Sequence, residues 1–126
     1  MIRFFPALLL FILLGCTSRE PSWVYNYKPK KGEVCGVGTA GIHIRGFAYQ
    51  RATAIARAID EIARQKGVTV STQLEHFMES SSSGAYSSLR VYSVQTTEGQ
   101  TIRARIVETY YDRERQLFHV LMCEER

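Results

Sequence analysis

The chain has 126 residues, 45% hydrophobic and 22% charged, and its 16 Lys+Arg against 12 Asp+Glu leave a formal net charge of +4. That is room for one small domain with a single core and too little for a doubly wound nucleotide-binding sheet. The basic excess is mild and scattered, so charge gives no argument for a nucleic-acid partner.

At the start, Arg3 precedes an almost unbroken apolar run from Phe4 to Leu14, followed by Gly15 and Cys16. A short positive start, an apolar stretch and a small residue at its end are the layout of a secretory signal. A membrane-spanning helix takes about 20 apolar residues. This run is shorter, contains Pro6, and gives way to Thr17, Ser18 and Arg19, so residues 1–15 read as an export signal. Leu13-Leu14-Gly15-Cys16 also resembles the lipobox of bacterial lipoproteins, in which the cysteine sulfur is diacylated, the signal is cut before it, and the new amino group is acylated. The alternative is an ordinary signal peptide with an incidental cysteine. One acyl chain holds a protein marginally and two or more hold it stably, so lipidation at Cys16 implies a durable membrane anchor. Cleavage of 15 residues leaves 111, and because Arg3 is the only charged residue removed, the remainder carries +3.

Residues 16–33 read as the lipidated N-terminus and a tether, with Pro21 and Pro29 and no helical period. Trp23, Tyr25 and Tyr27 alternate, so a short edge strand docking on the domain is the competing reading. Together with Lys28, Lys30 and Lys31 these rings suit a membrane–water interface; a solvated linker is the plainer alternative. The single domain then spans 34–126. Cys35 and Cys123 fall on predicted strands near its two ends, and exported proteins live where disulfides persist. The expectation is that they pair, against two buried thiols acting as small apolar residues.

Val34 to Gly38 reads as a strand, and Thr39 to Gly46, with two more glycines, as an irregular turn. Ala48, Ala52, Ile55, Ile59 and Ile62 share one face of a helix. Arg57 with Glu61 and Asp60 with Arg64 are spaced as charge pairs on its wetter side, and Gly67 stands where a left-handed cap is cheapest. From Val68 to Met78 the period is two, as in a half-buried strand. Ser80 to Ser83 with Gly84 then reads as a loop. Tyr86 to Thr97 fits a strand or a short helix. Thr101 to Tyr111 and Gln116 to Cys123 alternate around the polar turn Asp112 to Arg115 and read as a hairpin. The order strand, helix, strand, then C-terminal hairpin gives a two-layer α+β domain, an antiparallel-rich sheet covered by one or two helices.

Chemical signals are sparse. Gly36, Gly38 and Gly41 match the dinucleotide fingerprint G-x-G-x-x-G, but the periodic helix starts only near Phe47, away from where a pyrophosphate would sit. The glycines therefore read as close strand–helix packing, and no cofactor is expected. His43, His76 and His119 lack metal-ligand spacing. His76 with Glu75 and Glu79, or His119 with Cys123, are the groupings that could face a metal, and ordinary strand residues are the preferred reading, so no metal is expected. No serine sits in a nucleophile motif. The chain does not read as an enzyme, and no catalytic residue is assigned.

The lipobox ending at Cys16, Pro21-Ser22-Trp23-Val24, Gly36-Val37-Gly38-Thr39-Ala40, Ala56-Arg57-Ala58, Val68-Thr69-Val70-Ser71, and a closing hairpin with Tyr110-Tyr111-Asp112 and Val120-Leu121 occur here in an order that resembles a family of proteobacterial outer-membrane lipoproteins, the Helicobacter lipoprotein-twenty and flagellar basal-disk (FlgP) type. The resemblance spans nearly the whole mature chain. It implies an α+β domain lipid-anchored at the cell outer membrane, with Thr17 rather than an inner-membrane-retaining aspartate after the cysteine, and assembly into a ring or disk in the flagellar members. It supplies no catalytic residues, and it implies a helix over Tyr86 to Thr97. Two functions follow as expectations: a structural or assembly lipoprotein of the envelope, flagellum-associated in one version, whose partners are the membrane, copies of itself or an envelope protein; or an envelope ligand-binding module with a pocket between helix and sheet.

Overall fold

A computed structural model of the chain describes residues 20–70, 74 and 90–125. The elements in order are a single 3-10 turn at Ser22–Val24, β1 at Cys35–Ala40, α1 at Phe47–Gln65, β2 at Val91–Gln95, β3 at Thr101–Asp112 and β4 at Leu117–Glu124. The strands form one antiparallel sheet in the order β1-β4-β3-β2, and α1 lies across one face, giving the expected two-layer α+β fold.

The helix follows its sequence pattern. Ala52, Ile55, Ile59 and Ile62 are buried, the three isoleucines in one core with Phe118, Val120 and Met122 of β4 and Ile102, Ala104 and Ile106 of β3. Two β1 glycines let it come close. A Cβ at Gly36 would lie 2.6 Å from the Ala58 carbonyl oxygen, and one at Gly38 only 1.8 Å from that of Ala54. The fingerprint glycines thus set strand–helix packing, while Gly41 meets nothing nearer than the Leu117 Cδ2 at 3.8 Å. At the far end Gly67 has φ 72°. The Val68 N–H donates to Ala63 and the Gly67 N–H to Arg64, the paired bonds of a Schellman cap. Arg64 pairs with Asp60 at 3.1 Å as expected and also with Glu61 at 3.4 Å. The expected pair of Arg57 with Glu61 is replaced: the Arg57 guanidinium donates to the Thr39 carbonyl instead, at 2.6 Å.

The expected strand from Val68 does not form where it can be seen. Val68 to Val70 are irregular, and Leu74 is helical with its N–H on the Val70 carbonyl; the rest of that stretch, the Ser80 to Ser83 loop, His76 and the first part of Tyr86 to Thr97 lie outside the described residues. Among the described residues the strand after the helix is β2, so the ambiguous stretch is extended at Val91–Gln95. The hairpin forms as read, with Asp112 Oδ1 accepting the Glu114 and Arg115 backbone N–H groups in its turn.

Cys35 and Cys123 are opposite each other in the β1–β4 register and are joined in a disulfide. It lies on the sheet face away from α1. Trp23 and Val24 are buried there against Cys35, Leu121 and Cys123, with Tyr27, Val37 and Tyr110 half-buried around them. The first part of the segment read as a tether is therefore packed down, through Trp23, Val24 and half-buried Tyr27, as a 3-10 turn rather than an edge strand, while residues 28–32 are exposed. Trp23 belongs to this second small core and is not offered to an interface.

Candidate functional site

The N-terminal segment is held where β3 and β4 approach their hairpin turn. The register shifts between Ile106 and Glu108, a bulge in β3. Beyond it the side chains reverse faces: Tyr111 turns to the helix side opposite Phe118, while Tyr110 and Asp112 turn to the face carrying His119. Tyr110 then lies over the His119 ring, centroids 6.0 Å apart and planes 18° apart.

His119 is 2% exposed. Its Nδ1 is 2.7 Å from the Thr39 hydroxyl, and its Nε2 is 4.0 Å from a Glu20 carboxylate oxygen and has no hydrogen-bond partner. Burial pushes its pKa below the ordinary 6.5, against the opposing pull of Glu20 and Asp112. The imidazole is therefore neutral at neutral pH. Above it, Arg115 Nη1 stands 3.7 Å from Glu20 and 3.6 Å from Asp112, and donates to the Tyr25 hydroxyl at 2.9 Å. The same hydroxyl donates to Glu20 at 3.1 Å. Tyr25, Glu20 and Asp112 hold the guanidinium charged, raising its pKa.

Ligand atoms of Glu20, Asp112 and His119 lie within 4.8 Å of one another. The arrangement suits a cation, but the chain supplies that cation itself. Arg115 sits between the two carboxylates, and a divalent ion would have to displace it against like charge. Cys123, the other expected companion of His119, is spent in the disulfide. His43 is elsewhere, exposed in the β1–α1 loop, its ring centroid 4.1 Å from that of Tyr49 in a tilted contact, and accepting from the Arg45 N–H. The described histidines thus do not converge. The Thr39–His119 pair has the atoms of a base and a hydroxyl; it joins facing residues of β1 and β4 and satisfies one buried nitrogen, and the segment is latched above it by Arg115 with Glu20 and Tyr25.

Two other surfaces carry information. The free edge of β1 is partly covered, because the Gln65 side-chain amide donates to the Cys35 carbonyl at 2.7 Å and Arg57 to that of Thr39. An edge so occupied resists pairing with another strand. The loop between β1 and α1, by contrast, is apolar and open: Ile44 is 98% exposed, Ile42 60% and Phe47 53%.

Sequence reasoning missed both the latch and this loop. The latch joins Tyr25 with Arg115 across 90 positions, over a Thr39–His119 pair itself 80 positions apart, and nothing local announces such contacts. The loop did carry a signal, two isoleucines between Gly41 and Gly46 with no helical partner. Cys16 and the rest of 1–19 lie outside the described residues. Among the described residues no helix is long and apolar enough to cross a membrane. Comparisons of the chain with models of known families, with curated proteins and with solved structures find no match.

Proposed function

We propose that the protein is an outer-membrane lipoprotein, anchored through acylated Cys16, whose small α+β domain has a structural or assembly role in the cell envelope. The observation that carries this is Leu13-Leu14-Gly15-Cys16 directly after the apolar run. The Cys35–Cys123 disulfide supports it, since such bonds persist outside the cytoplasm. The docked segment is compatible with it, because Glu20, four positions after the cysteine, is held against the domain by Arg115 and Tyr25. A pocket between helix and sheet gains no support at β1, where the helix leaves no room for a methyl group on Gly38. A flagellar role rests on the family resemblance alone, and motility genes beside this one would favour it.

Fatty-acid labelling and fractionation of wild type and Cys16→Ala test the anchor. Wild type takes up label and fractionates with the outer membrane, whereas the variant takes up none and is released. Native protein that retains Met1, or that migrates free of lipid, ends the proposal. Crosslinking in intact cells tests the assembly role; a domain that remains monomeric and crosslinks to nothing removes it.

A further inference from the structure

We infer that one end of the domain is built to lie on the lipid surface, with Ile42, Ile44 and Phe47 entering the boundary between headgroups and acyl chains; this rests on the lipid-anchored reading above. Three observations carry it. The first is the apolar loop itself. Ile42, Ile44 and Phe47 are more than half exposed, and the Phe47 ring meets that of half-exposed Tyr111 at 5.9 Å, extending the patch. A loop tip of isoleucines in water is a cost that a soluble monomer rarely bears without a use.

The second is the leash. Glu20, fixed by Arg115 and Tyr25, lines the same surface cleft as Tyr111. It is only four positions from Cys16, and even fully extended four residue steps reach at most about 14 Å. An acyl chain on Cys16 therefore holds this end of the domain near the bilayer. The other end is out of reach: α1 starts at Phe47, and Arg64, 17 residues on, lies about 26 Å farther along the helix axis at 1.5 Å per residue.

The third is the chemistry around the patch. Arg45 lies in the loop, its guanidinium 5.0 Å over the Tyr49 ring, and Arg113 is exposed in the adjoining hairpin turn. Apolar side chains with arginines beside them match an interface of acyl chains below and phosphates above. A second copy of the chain carries the same apolar patch, but the short leash would have to bring both copies' loops together edge-on beside the membrane, whereas the bilayer already lies within the leash's reach.

The test uses the acylated full mature chain, with Cys35–Cys123 intact, in vesicles of phosphatidylethanolamine and phosphatidylglycerol. An environment-sensitive fluorophore is attached to Ile44→Cys, an almost wholly exposed position, or to Arg64→Cys, and nitroxide groups are carried high on the lipid chains. The expected result is severalfold stronger quenching at position 44 than at 64, with a blue-shifted emission at 44 alone. Equal, weak quenching at both sites in protein that floats with the vesicles overturns the inference and leaves the anchor standing. Protein that carries no fatty acid and does not float removes the anchor, and the inference with it. A blue shift at 44 that ignores the lipid nitroxide and grows with protein density assigns the loop to a second copy, and also overturns it.

Discussion

Replacing Gly38 with alanine tests how the sheet and helix are joined. The added Cβ would lie 1.8 Å from the Ala54 carbonyl oxygen and 2.6 Å from the Ala58 nitrogen, both backbone atoms, whereas ordinary contact begins at 3.4 Å. The difference, 3.4 less 1.8, means that α1 must lift by about 1.6 Å. The strand cannot easily retreat instead, because the Cys35–Cys123 bond and the β4 ladder hold it. A gap of roughly 0.5–1 Å already forfeits a quarter to a half of a contact's attraction. Ile55, Ile59 and Ile62 are fully buried under this helix, each worth about 2 kcal/mol. Losing about half of that burial destabilises the fold by ~3 kcal/mol, a large part of the roughly 5–15 kcal/mol typical of a domain. Urea denaturation of the oxidised protein followed by circular dichroism reads it: with a slope near ~1 kcal/mol/M, the midpoint falls by about 3 M. Gly41→Ala is the control, since its Cβ would meet only Leu117 at an ordinary distance, and it shifts stability by no more than about 0.5 kcal/mol. Equal midpoints for the two variants would refute the packing account of the glycine motif.

The disulfide closes a separation of 88 residues, so Cys35→Ala with Cys123→Ala, or reductant, costs roughly 4–5 kcal/mol in the loop-entropy model; an unmoved unfolding midpoint in reductant counts against it. His119 supplies a pH dependence. Burial lowers its folded pKa below the unfolded 6.5, so between those values the unfolded chain binds the extra proton and stability falls as pH drops through 6.5. Denaturation curves from about pH 7.5 down to about pH 5.5 show this decline in wild type and a flatter one in His119→Asn; identical slopes would exclude the histidine as its source. Trp23, the only tryptophan, reports docking of the segment directly. Its emission is that of a buried indole, and Trp23→Ala costs about 3 kcal/mol, read from the same denaturation series; an exposed-type emission in wild type contradicts the docked segment.

Where the contacts are local or periodic, the fold was legible. The Ala52-Ile55-Ile59-Ile62 stripe and the alternation of Phe118, Val120 and Met122 follow from a repeat of three to four residues and of two, the Gly67 cap from a glycine at the end of the stripe, and each stands as read. The disulfide was expected from the export reading together with the placement of both cysteines on strands, and Cys35 and Cys123 are joined. Val68 to Val70 misled because β-branched alternation fits a strand, while the Schellman cap sends the chain on through Thr69, whose carbonyl and N–H bond to Thr97 and Glu98. Trp23 misled in another way. Aromatic residues beside lysines have the composition of an interface, but composition does not say that Leu121 and a disulfide stand ready to bury the ring. Ile42 and Ile44 are the converse, apolar residues in a turn for which the sheet has no place.

Docking of the segment decides what an anchor at Cys16 would do to the domain. Were residues 16–33 a free coil, the 17 residues to Glu33 would span roughly 20–25 Å on average, comparable to the length of α1, and either end of the domain could face the bilayer. Pinned at Glu20 by Arg115 and at Trp23 by Leu121 and the disulfide, the leash shortens to about 14 Å, less than the distance that separates the loop end from Arg64. The latch would thus convert the proposed attachment into an orientation. Loosening it should undo that without touching the lipid: in acylated Trp23→Ala carrying Arg115→Gln, a fluorophore at position 64 becomes accessible to lipid-borne quencher while the protein stays with the vesicles. If position 64 remains as unquenched as in the docked chain, the segment does not set the orientation, and the loop alone must do so.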